Sequence, residues 1–166
     1  MTLEQTNATA SSVVLRAVSW DDPDAVELRA AQRADIDAPY GGDFEPGHRP
    51  TAADIAVFVV AYDAGSDAPI GCGAFRDLPD EQPTVEVKRM YVRPEYRGRK
   101  IGQLILRDLE ARAREQGAVR VRLETGNKQP EAVRLYEGAG YRRIPNFGDY
   151  AHVEYSLCFE RVLDAT

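Results

Sequence analysis

The sequence predicts an α/β fold with one mixed sheet, and three observations carry this prediction. The chain has 166 residues, of which 43% are hydrophobic, and this is the size of one globular domain. Short β-branched runs alternate with segments of helical periodicity along the chain. A strand–helix–strand order lies at the centre, between Thr84 and Glu124, and such a unit usually joins two parallel strands.

The N-terminal half is predicted to contain a strand, a helix and a hairpin. Pro23 follows Asp21 and Asp22, and proline after a capping carboxylate is typical of a helix start. We expect this helix to end near Asp35, because residues 37–50 are rich in Gly, Pro and Asp and predict a loop. The expected strands of this half are Val13–Val18, Ala56–Tyr62 and Pro69–Phe75.

The C-terminal half is predicted to alternate strands and helices. Apolar residues recur at helical spacing between Ile101 and Leu109, and Gly117 is typical of a helix end. Apolar and charged residues then alternate strictly from Val119 to Glu124, as in a half-buried strand. The remaining expected elements are a strand over Thr84–Val92, a helix over Glu131–Ala139 and a strand over His152–Phe159.

The net charge of −6 is divided unevenly between the two halves of the chain. The balance is −10 from Met1 to Pro83 and +4 from Thr84 to Thr166. A basic half suits an anionic ligand, and an acidic half could favour a cationic one. The chain has no long Lys/Arg run and no apolar run near the ~20 residues of a membrane span. We therefore expect no nucleic-acid partner and no membrane partner.

The cysteines and histidines indicate neither a disulfide nor a metal site. Cys72 and Cys158 form no CxxC pair, and neither His48 nor His152 lies at metal-ligand spacing from them. We expect both cysteines to be reduced and buried, each as a small apolar side chain of the core. Residues 1–12 are polar, without the features of a secretory signal, and predict a disordered leader before a single domain over 13–163. These features together predict a cytoplasmic protein.

The most informative motif is a basic, glycine-containing loop between the strand ending at Val92 and the helix beginning at Ile101. Such a loop presents backbone N–H groups beside the positive end of a helix dipole, which suits phosphate oxygens. The sequence therefore predicts a phosphorylated ligand at this loop. The alternative is a solvated helix start that simply exposes Arg97, Arg99 and Lys100.

With its flanking segments, this loop resembles the acetyl-CoA site of the GNAT superfamily of N-acetyltransferases. The family's Gln/Arg-x-x-Gly-x-Gly/Ala motif stands here as Arg97-Gly98-Arg99-Lys100-Ile101-Gly102. Lys88–Pro94 resembles the family's fourth strand, and Ala132–Tyr136 with Gly140 and Tyr141 resembles its Ala-x-x-Leu-Tyr helix. The resemblance implies the GNAT acyl-CoA N-acyltransferase fold, a mostly antiparallel sheet with a parallel strand–helix–strand core and flanking helices.

The resemblance also implies acetyl-CoA as the cofactor. Its pyrophosphate would meet backbone N–H groups of the loop, and its pantetheine arm would run along the strand before it. Two positions depart from the family pattern: Lys100 replaces a glycine that allows close backbone approach, and Gln129 replaces an asparagine. The implied cofactor-binding residues are Met90, Tyr91, Val92, Arg97, Gly98, Arg99, Lys100, Ile101, Gly102, Gln103, Gln129 and Tyr136.

Direct acetyl transfer to a primary amine in a ternary complex follows from the same resemblance. Tyr136 would be the general acid that protonates the departing thiolate, and its alternative role is that of a core aromatic residue. The amine arrives as ammonium and must lose a proton before it attacks. Glu86, Glu124 and a water relay without a single base are the open alternatives for that step. Backbone N–H groups near Met90–Val92 would stabilise the oxyanion.

The loop after the first helix is a candidate rim for the acceptor. Asp43 and Glu45 could attract an ammonium group, Tyr40 and Phe44 could form apolar walls, and Phe147 could face them; the alternative is an ordinary surface loop. We expect a small-molecule amine. A protein N-terminus or lysine is the alternative acceptor, and a non-catalytic CoA sensor is the alternative function. A homodimer through the C-terminal strands would fit the family.

Overall fold

The computed structural model describes residues 12–41 and 46–164, with Tyr40 described by its backbone only. The expected leader up to residue 11 and the predicted rim residues Asp43, Phe44 and Glu45 lie outside the described residues. The strands are β1 (Val13–Val18), β2 (Val57–Asp63), β3 (Pro69–Leu78), β4 (Thr84–Val92), β5 (Arg120–Gly126), β6 (Arg142–Ile144) and β7 (Ser156–Val162). The helices are α1 (Pro23–Tyr40), α2 (Ile101–Glu115) and α3 (Pro130–Gly138).

Seven strands form one mixed sheet in the order β1-β2-β3-β4-β5-β7-β6, which confirms the predicted fold class. The pairing of β4 with β5 is parallel, and the other neighbouring pairs are antiparallel. The parallel pairing runs only from Thr84 with Arg120 to Val87 with Leu123. Beyond Val87 the two strands diverge, and their facing edges no longer pair with each other.

A bulge in β4 marks the point of divergence. Ala74 pairs with Lys88 and Cys72 with Tyr91, so three steps on β4 face two steps on β3. Arg89, inside this bulge, has a φ of 60°, in the left-handed region. A bulge of this kind re-aims the residues that follow it, here those that lead into the basic loop.

Gly73 lets α2 pack closely against this bulge. A Cβ atom on Gly73 would lie 2.6 Å from Sδ of Met90 and 2.8 Å from Cγ2 of Ile105, closer than real contacts allow. Any other residue would push α2 and Met90 apart, and overpacking typically costs ~1–3 kcal/mol. The glycine therefore positions Met90 as well as the helix.

The sheet has an apolar core on each face. On one face, α2 contributes Ile105 and Leu109, which pack with strand residues such as Phe75. On the other face, α1 contributes Leu28, which packs with Phe58. Within the described ranges, no helix combines the length and the apolar character needed to cross a membrane.

Several boundaries and one strand differ from the sequence prediction, and β3 and β7 each end three residues later than expected, at Leu78 and Val162. Helix α1 continues past Asp35 to Tyr40, because Pro39 falls in its last turn and Gly41, at φ 71°, supplies the left-handed cap. Strand β7 starts at Ser156 instead of His152, since the preceding residues form hydrogen-bonded turns. The three-residue strand β6 was not predicted, and it is too short to show a period of two.

Candidate active site

A cleft of about 760 Å³ opens where β4 and β5 diverge, and we call it the β4–β5 cleft. Helix α1, the start of α2 and the start of α3 complete its walls. Thirteen of the predicted catalytic and cofactor-binding residues line it: Glu86, Met90, Tyr91, Val92, Arg97, Gly98, Lys100, Ile101, Gly102, Gln103, Glu124, Gln129 and Tyr136. Arg99 does not; it lines a second cavity of about 320 Å³, with its guanidinium 5.3 Å from the ring centre of Tyr96.

The basic loop enters α2 through two left-handed residues. Gly98 has a φ of 82° and Lys100, at the N-cap, a φ of 61°. Lysine thus adopts the conformation that glycine would take there, at a typical cost of ~1–2 kcal/mol. The first N–H groups of α2 have no acceptor within the helix, and Ile101 and Gly102 line the cleft. This wall therefore suits a phosphate group.

Arg97 connects the basic loop to the strand and to α1. Its Nε donates to the carbonyl of Val92 at 2.8 Å, and its Nη2 donates to Oδ2 of Asp35 at 2.8 Å. The guanidinium also lies 5.7 Å from the ring centre of Tyr91. The arginine charge is therefore compensated by a carboxylate, and its main contribution is to fix the loop.

Two glutamine side chains leave buried polar atoms without hydrogen bonds among the described residues. They are Nε2 of Gln129, a donor at the N-cap of α3, and Oε1 of Gln32, an acceptor on α1. The Nε2 of Gln32 donates to the Met90 carbonyl at 2.9 Å, which fixes the orientation of that amide. Both residues line the cleft. Because buried polar groups are normally satisfied, the cleft has the character of a ligand site.

Tyr136 combines core packing with access to the cleft. Its side chain is only 5% exposed, and its ring lies 6.0 Å from that of Tyr141 and 6.2 Å from that of Phe159. Burial, and then the negative charge of Glu124, raise the pKa of the Tyr136 phenol above its usual 10.0. The hydroxyl is therefore protonated at neutral pH and able to donate a proton in the cleft.

The two candidate bases occupy different surroundings. Glu86 is 1% exposed and both of its carboxylate oxygens are engaged: Nε of Arg76 donates to Oε1 and the hydroxyl of Tyr150 donates to Oε2, each at 2.6 Å. Glu124 is partly exposed, and its Oε2 accepts from Oγ of Ser156 at 2.5 Å. Of the two carboxylates, Glu124 is the more accessible from the cleft.

Sequence comparison agrees with this arrangement of loop, strand edge and tyrosine. Residues 17–141 match the model of the acetyltransferase (GNAT) family. The chain belongs to that family. It is therefore an acetyl-CoA-dependent N-acetyltransferase, with acetyl-CoA as its cosubstrate.

Three relatives illustrate the position of this GNAT acetyltransferase. An IAA acetyltransferase of Azospirillum brasilense is 34% identical over 131 residues, which are 75% of this chain and 84% of that protein. A crystal structure from Klebsiella pneumoniae, of a protein proposed to be an acyl-CoA N-acyltransferase, has 28% identity and a TM-score of 0.76, covering 92% of this chain and 98% of that one. A GNAT acetyltransferase of Elizabethkingia anophelis, solved with acetyl-CoA, has 17% identity and a TM-score of 0.66, covering 92% and 99%.

In this GNAT acetyltransferase, two loops meet at the rim of the cleft. The backbone N–H of His48 donates to Oδ2 of Asp149 at 3.2 Å, and a Cβ atom on Gly47 would lie 2.9 Å from Cβ of Asp149. Phe147, predicted to contact substrate, does not line the cleft and packs edge-on against Tyr150, with ring centres 5.4 Å apart. The two loops thus meet next to Pro46 and Tyr150, which both line the cleft.

Both cysteines of the acetyltransferase are buried, which confirms that prediction. Burial raises the pKa of the Cys72 thiol to about 12 and that of Cys158 to about 11. The Sγ of Cys72 donates to the carbonyl of Arg89 at 3.2 Å, so this thiol supports the β4 bulge. Over residues 12–41 and 46–164, no group of three His, Cys, Asp or Glu side chains could hold a metal ion.

Sequence reasoning did not assign three residues to the acetyltransferase site, Gln32, Arg76 and Lys88, and it did not predict the contact of Tyr150 with Glu86. Arg76 and Glu86 lie directly opposite each other on β3 and β4, and the opposite charges in adjacent predicted strands were a usable signal. Tyr150 carried no such signal, because it reaches Glu86 from a short 3₁₀ turn in a loop.

Proposed function

We propose that this acetyltransferase transfers the acetyl group of acetyl-CoA directly to the amine of a small molecule, with Glu124 as the proton acceptor and Tyr136 as the proton donor. One observation carries this proposal: both side chains line one cleft, and the charge of Glu124 contributes to the raised pKa of Tyr136. A carboxylate and a protonated phenol so coupled are suited to accept one proton and deliver another.

The residues of the cleft fit acetyl-CoA. Beyond Val87, β5 does not cover the edge of β4, and the backbone N–H groups there can bind the pantetheine arm, while the carbonyls of Met90 and Val92 already accept from Gln32 and Arg97. The buried Nε2 of Gln129 offers a donor, and the start of α2 offers N–H groups to the pyrophosphate. When bound, acetyl-CoA supplies the acetyl group already activated as a thioester. The residues of the chain then have to orient the amine and move two protons.

Glu124 is the proposed base because it can be reached. An amine would have to displace Arg76 or Tyr150 to approach the carboxylate oxygens of Glu86, whereas Glu124 is partly exposed at the cleft. The substrate ammonium gives its proton to Glu124, directly or through one water. The free amine then attacks the carbonyl carbon of the thioester. The hydroxyl of Tyr136 supplies the proton that the departing sulfur requires. Backbone N–H groups after the β4 bulge are the proposed oxyanion donors.

One observation supports a small-molecule acceptor. The relative from Azospirillum brasilense is named IAA acetyltransferase, and the alignment with it covers 84% of that protein. The cytoplasmic location, the absence of nucleic-acid and membrane partners, the single domain over residues 13–163 and the homodimer remain predictions.

The test uses acetyl-CoA and a panel of amines, amino acids and short peptides. We expect acetyl-CoA to raise the melting temperature of the protein, and we expect free thiol to be released only when a suitable amine is present. Highest kcat/KM for a small amine supports the proposal. Highest kcat/KM for a peptide N-terminus or a peptide lysine would overturn the acceptor assignment. Stabilisation without amine-dependent thiol release from any acceptor would instead identify a CoA sensor.

Glu124→Gln and Glu86→Gln form a matched pair for the base assignment. We expect the Glu124 variant to lose kcat/KM by about 100-fold at neutral pH and to recover part of it as pH rises, because more free amine is then available. The Glu86 variant should lose mainly stability, since it leaves the guanidinium of Arg76 without its carboxylate partner. The reverse pattern would make Glu86 the base.

A further inference from the structure

We propose that the acceptor carries a carboxylate in addition to its amine, and that Lys88 on β4 binds this carboxylate. The inference rests on the proposed transfer to a small amine, and it names the chemical class of that amine. The acceptor would thus be an amino-carboxylic acid. Three features of the β4–β5 cleft lead to this assignment.

The first feature is that Glu86 is already neutralised. Its Oε1 accepts from Nε of Arg76 at 2.6 Å, and this guanidinium is partly exposed whereas the carboxylate is 1% exposed. Its Oε2 accepts from the hydroxyl of Tyr150 at 2.6 Å. The negative charge of Glu86 is therefore shared with Arg76 before any ligand arrives.

The second feature is the placement of Lys88. Its side chain is 11% exposed and lines the cleft. Its Nζ donates to the hydroxyl oxygen of Tyr150 at 2.9 Å, but lies 3.9 Å from Oε2 of Glu86, beyond hydrogen-bond distance. An ammonium group has three donors, and the described residues give Nζ this one hydrogen bond. The lysine is thus held in position with donor capacity for a ligand.

The third feature is a second basic residue on the same strand. Arg89 is the next residue along β4 and also lines the cleft. This wall of the cleft therefore carries two successive basic residues, which suits an anionic group of a ligand.

The charge balance around Lys88 indicates which charges on the acceptor are favoured. Arg76, Glu86 and Lys88 form one cluster, in which Nε of Arg76 lies 2.6 Å from Oε1 of Glu86 and Nζ of Lys88 lies 3.9 Å from Oε2, and the three side chains carry a net charge of +1. A plain ammonium would add a further positive charge to a poorly solvated space, which is costly. A zwitterionic amino acid adds none, because its carboxylate pairs with Lys88 while its ammonium approaches Glu124.

The wild-type experiment compares acids with their own amides. Thiol release from acetyl-CoA is measured with phenylalanine and phenylalaninamide, and with β-alanine and β-alaninamide. We expect kcat/KM for the acid to exceed that for the amide by about 10-fold to 100-fold, the value of one charge-assisted hydrogen bond. A difference in amine basicity cannot produce this preference. The amine of the amide is less basic, so a larger fraction of it is unprotonated at a given pH, and basicity alone would favour the amide.

Lys88→Gln tests the residue itself. We expect this variant to reduce the acid-to-amide ratio of kcat/KM at least 10-fold, mainly through the KM of the acid, and we expect Lys88→Arg to restore part of it. The matched control is Arg112→Gln, which removes one positive charge from a partly exposed pair with Asp108 away from the cleft. The control should leave the ratio at the wild-type value.

The outcomes separate this inference from the proposed function. If acetyl-CoA stabilises the protein and amines are acetylated, but amides react as well as acids, the proposed function stands and the carboxylate assignment is overturned. An unchanged ratio in Lys88→Gln would overturn the role of the lysine. If no amine is acetylated, both proposals fail together. Should Lys88→Gln not fold, the acid and amide pairs on the wild-type protein still decide the question.

Discussion

The hydroxyl of Tyr150 donates a hydrogen bond of 2.6 Å to Oε2 of Glu86, although the two residues are 64 positions apart in the chain. Tyr150 belongs to a 3₁₀ turn in the loop before β7, and Glu86 is the third residue of β4. The same hydroxyl accepts a hydrogen bond from Nζ of Lys88 at 2.9 Å. One phenol therefore positions a carboxylate and an ammonium group that both line the β4–β5 cleft.

Replacing Tyr150 by Phe should affect both groups. The change removes a donor from a buried carboxylate and an acceptor from Lys88, so we expect a loss of ~1–3 kcal/mol in the free energy of unfolding, measured in urea. We also expect a several-fold increase in the KM of the acceptor, because Lys88 is no longer held. Tyr62→Phe is the matched control, since Tyr62 bonds Asp24 at 2.8 Å outside the cleft. It should lose stability without a change in KM.

Tyr136→Phe should reduce kcat by about 100-fold while the affinity for acetyl-CoA changes little. The phenylalanine ring keeps the contacts with Tyr141 and Phe159, so stability should change by less than ~1 kcal/mol. Steady-state kinetics and urea unfolding on the same preparation separate the two effects. An unchanged kcat would make Tyr136 a packing residue only.

Stability should fall as pH rises above 9. Burial raises the pKa of Cys72 from 9.0 to about 12, and burial together with Asp24 raises that of Tyr62 from 10.0 to about 12. Below pH 9 both groups are protonated in the folded and unfolded chains, and their contribution to stability is complete. Between pH 9 and about 12 only the unfolded chain ionises, so this contribution is progressively lost.

Urea unfolding at pH 8, 9.5 and 11 measures this loss. Cys72→Ala is the informative variant, because it removes one of the two thiols, which ionise before the phenols in the unfolded state. Its free energy of unfolding should fall less steeply with pH between 8 and 9.5 than that of the wild type. Equal slopes would show that the Cys72 thiol titrates alike in both states.

Substitutions of Lys100 separate the effect of its left-handed backbone on stability from the effect of its charge on cofactor binding. Lys100→Ala removes the ammonium group but keeps a Cβ in the left-handed region, whereas Lys100→Gly removes both. We expect the Gly variant to be more stable than the Ala variant by about 1 kcal/mol, as measured by urea unfolding. Both should bind acetyl-CoA more weakly than the wild type, as measured by calorimetry, if the charge faces the phosphates. Equal free energies of unfolding for the two variants would show that a Cβ in the left-handed conformation at position 100 costs no stability.

The sequence was sufficient for the elements with a clear period. The bounds of β4 were predicted as Thr84–Val92, because a β-branched run there lies between a proline and a basic loop. The basic loop after β4 and helix α3, which carries Tyr136, were recognisable because each family motif is continuous in sequence. The end of α1 was not predictable in the same way, since Pro39 indicates a loop unless it falls in the last turn.

Contacts between distant segments account for what the sequence could not give. Lys88 lies 62 positions from Tyr150, and no local pattern connects a lysine in a strand with a tyrosine in a turn. The engagement of Glu86 by Arg76 depends on strand register, which determines which charges face each other across β3 and β4. The sequence therefore left both Glu86 and Glu124 open as candidates, and their difference in exposure appears only in the fold.

The open edge of β4 has an evolutionary consequence. Beyond Val87, this edge offers main-chain groups that are present whatever the side chain, so the proposed grip on the pantetheine arm tolerates substitution. Acceptor recognition, by contrast, is assigned to side chains at positions such as Lys88. A descendant of this chain could therefore change its acceptor through one or two replacements on β4 while it retained acetyl-CoA.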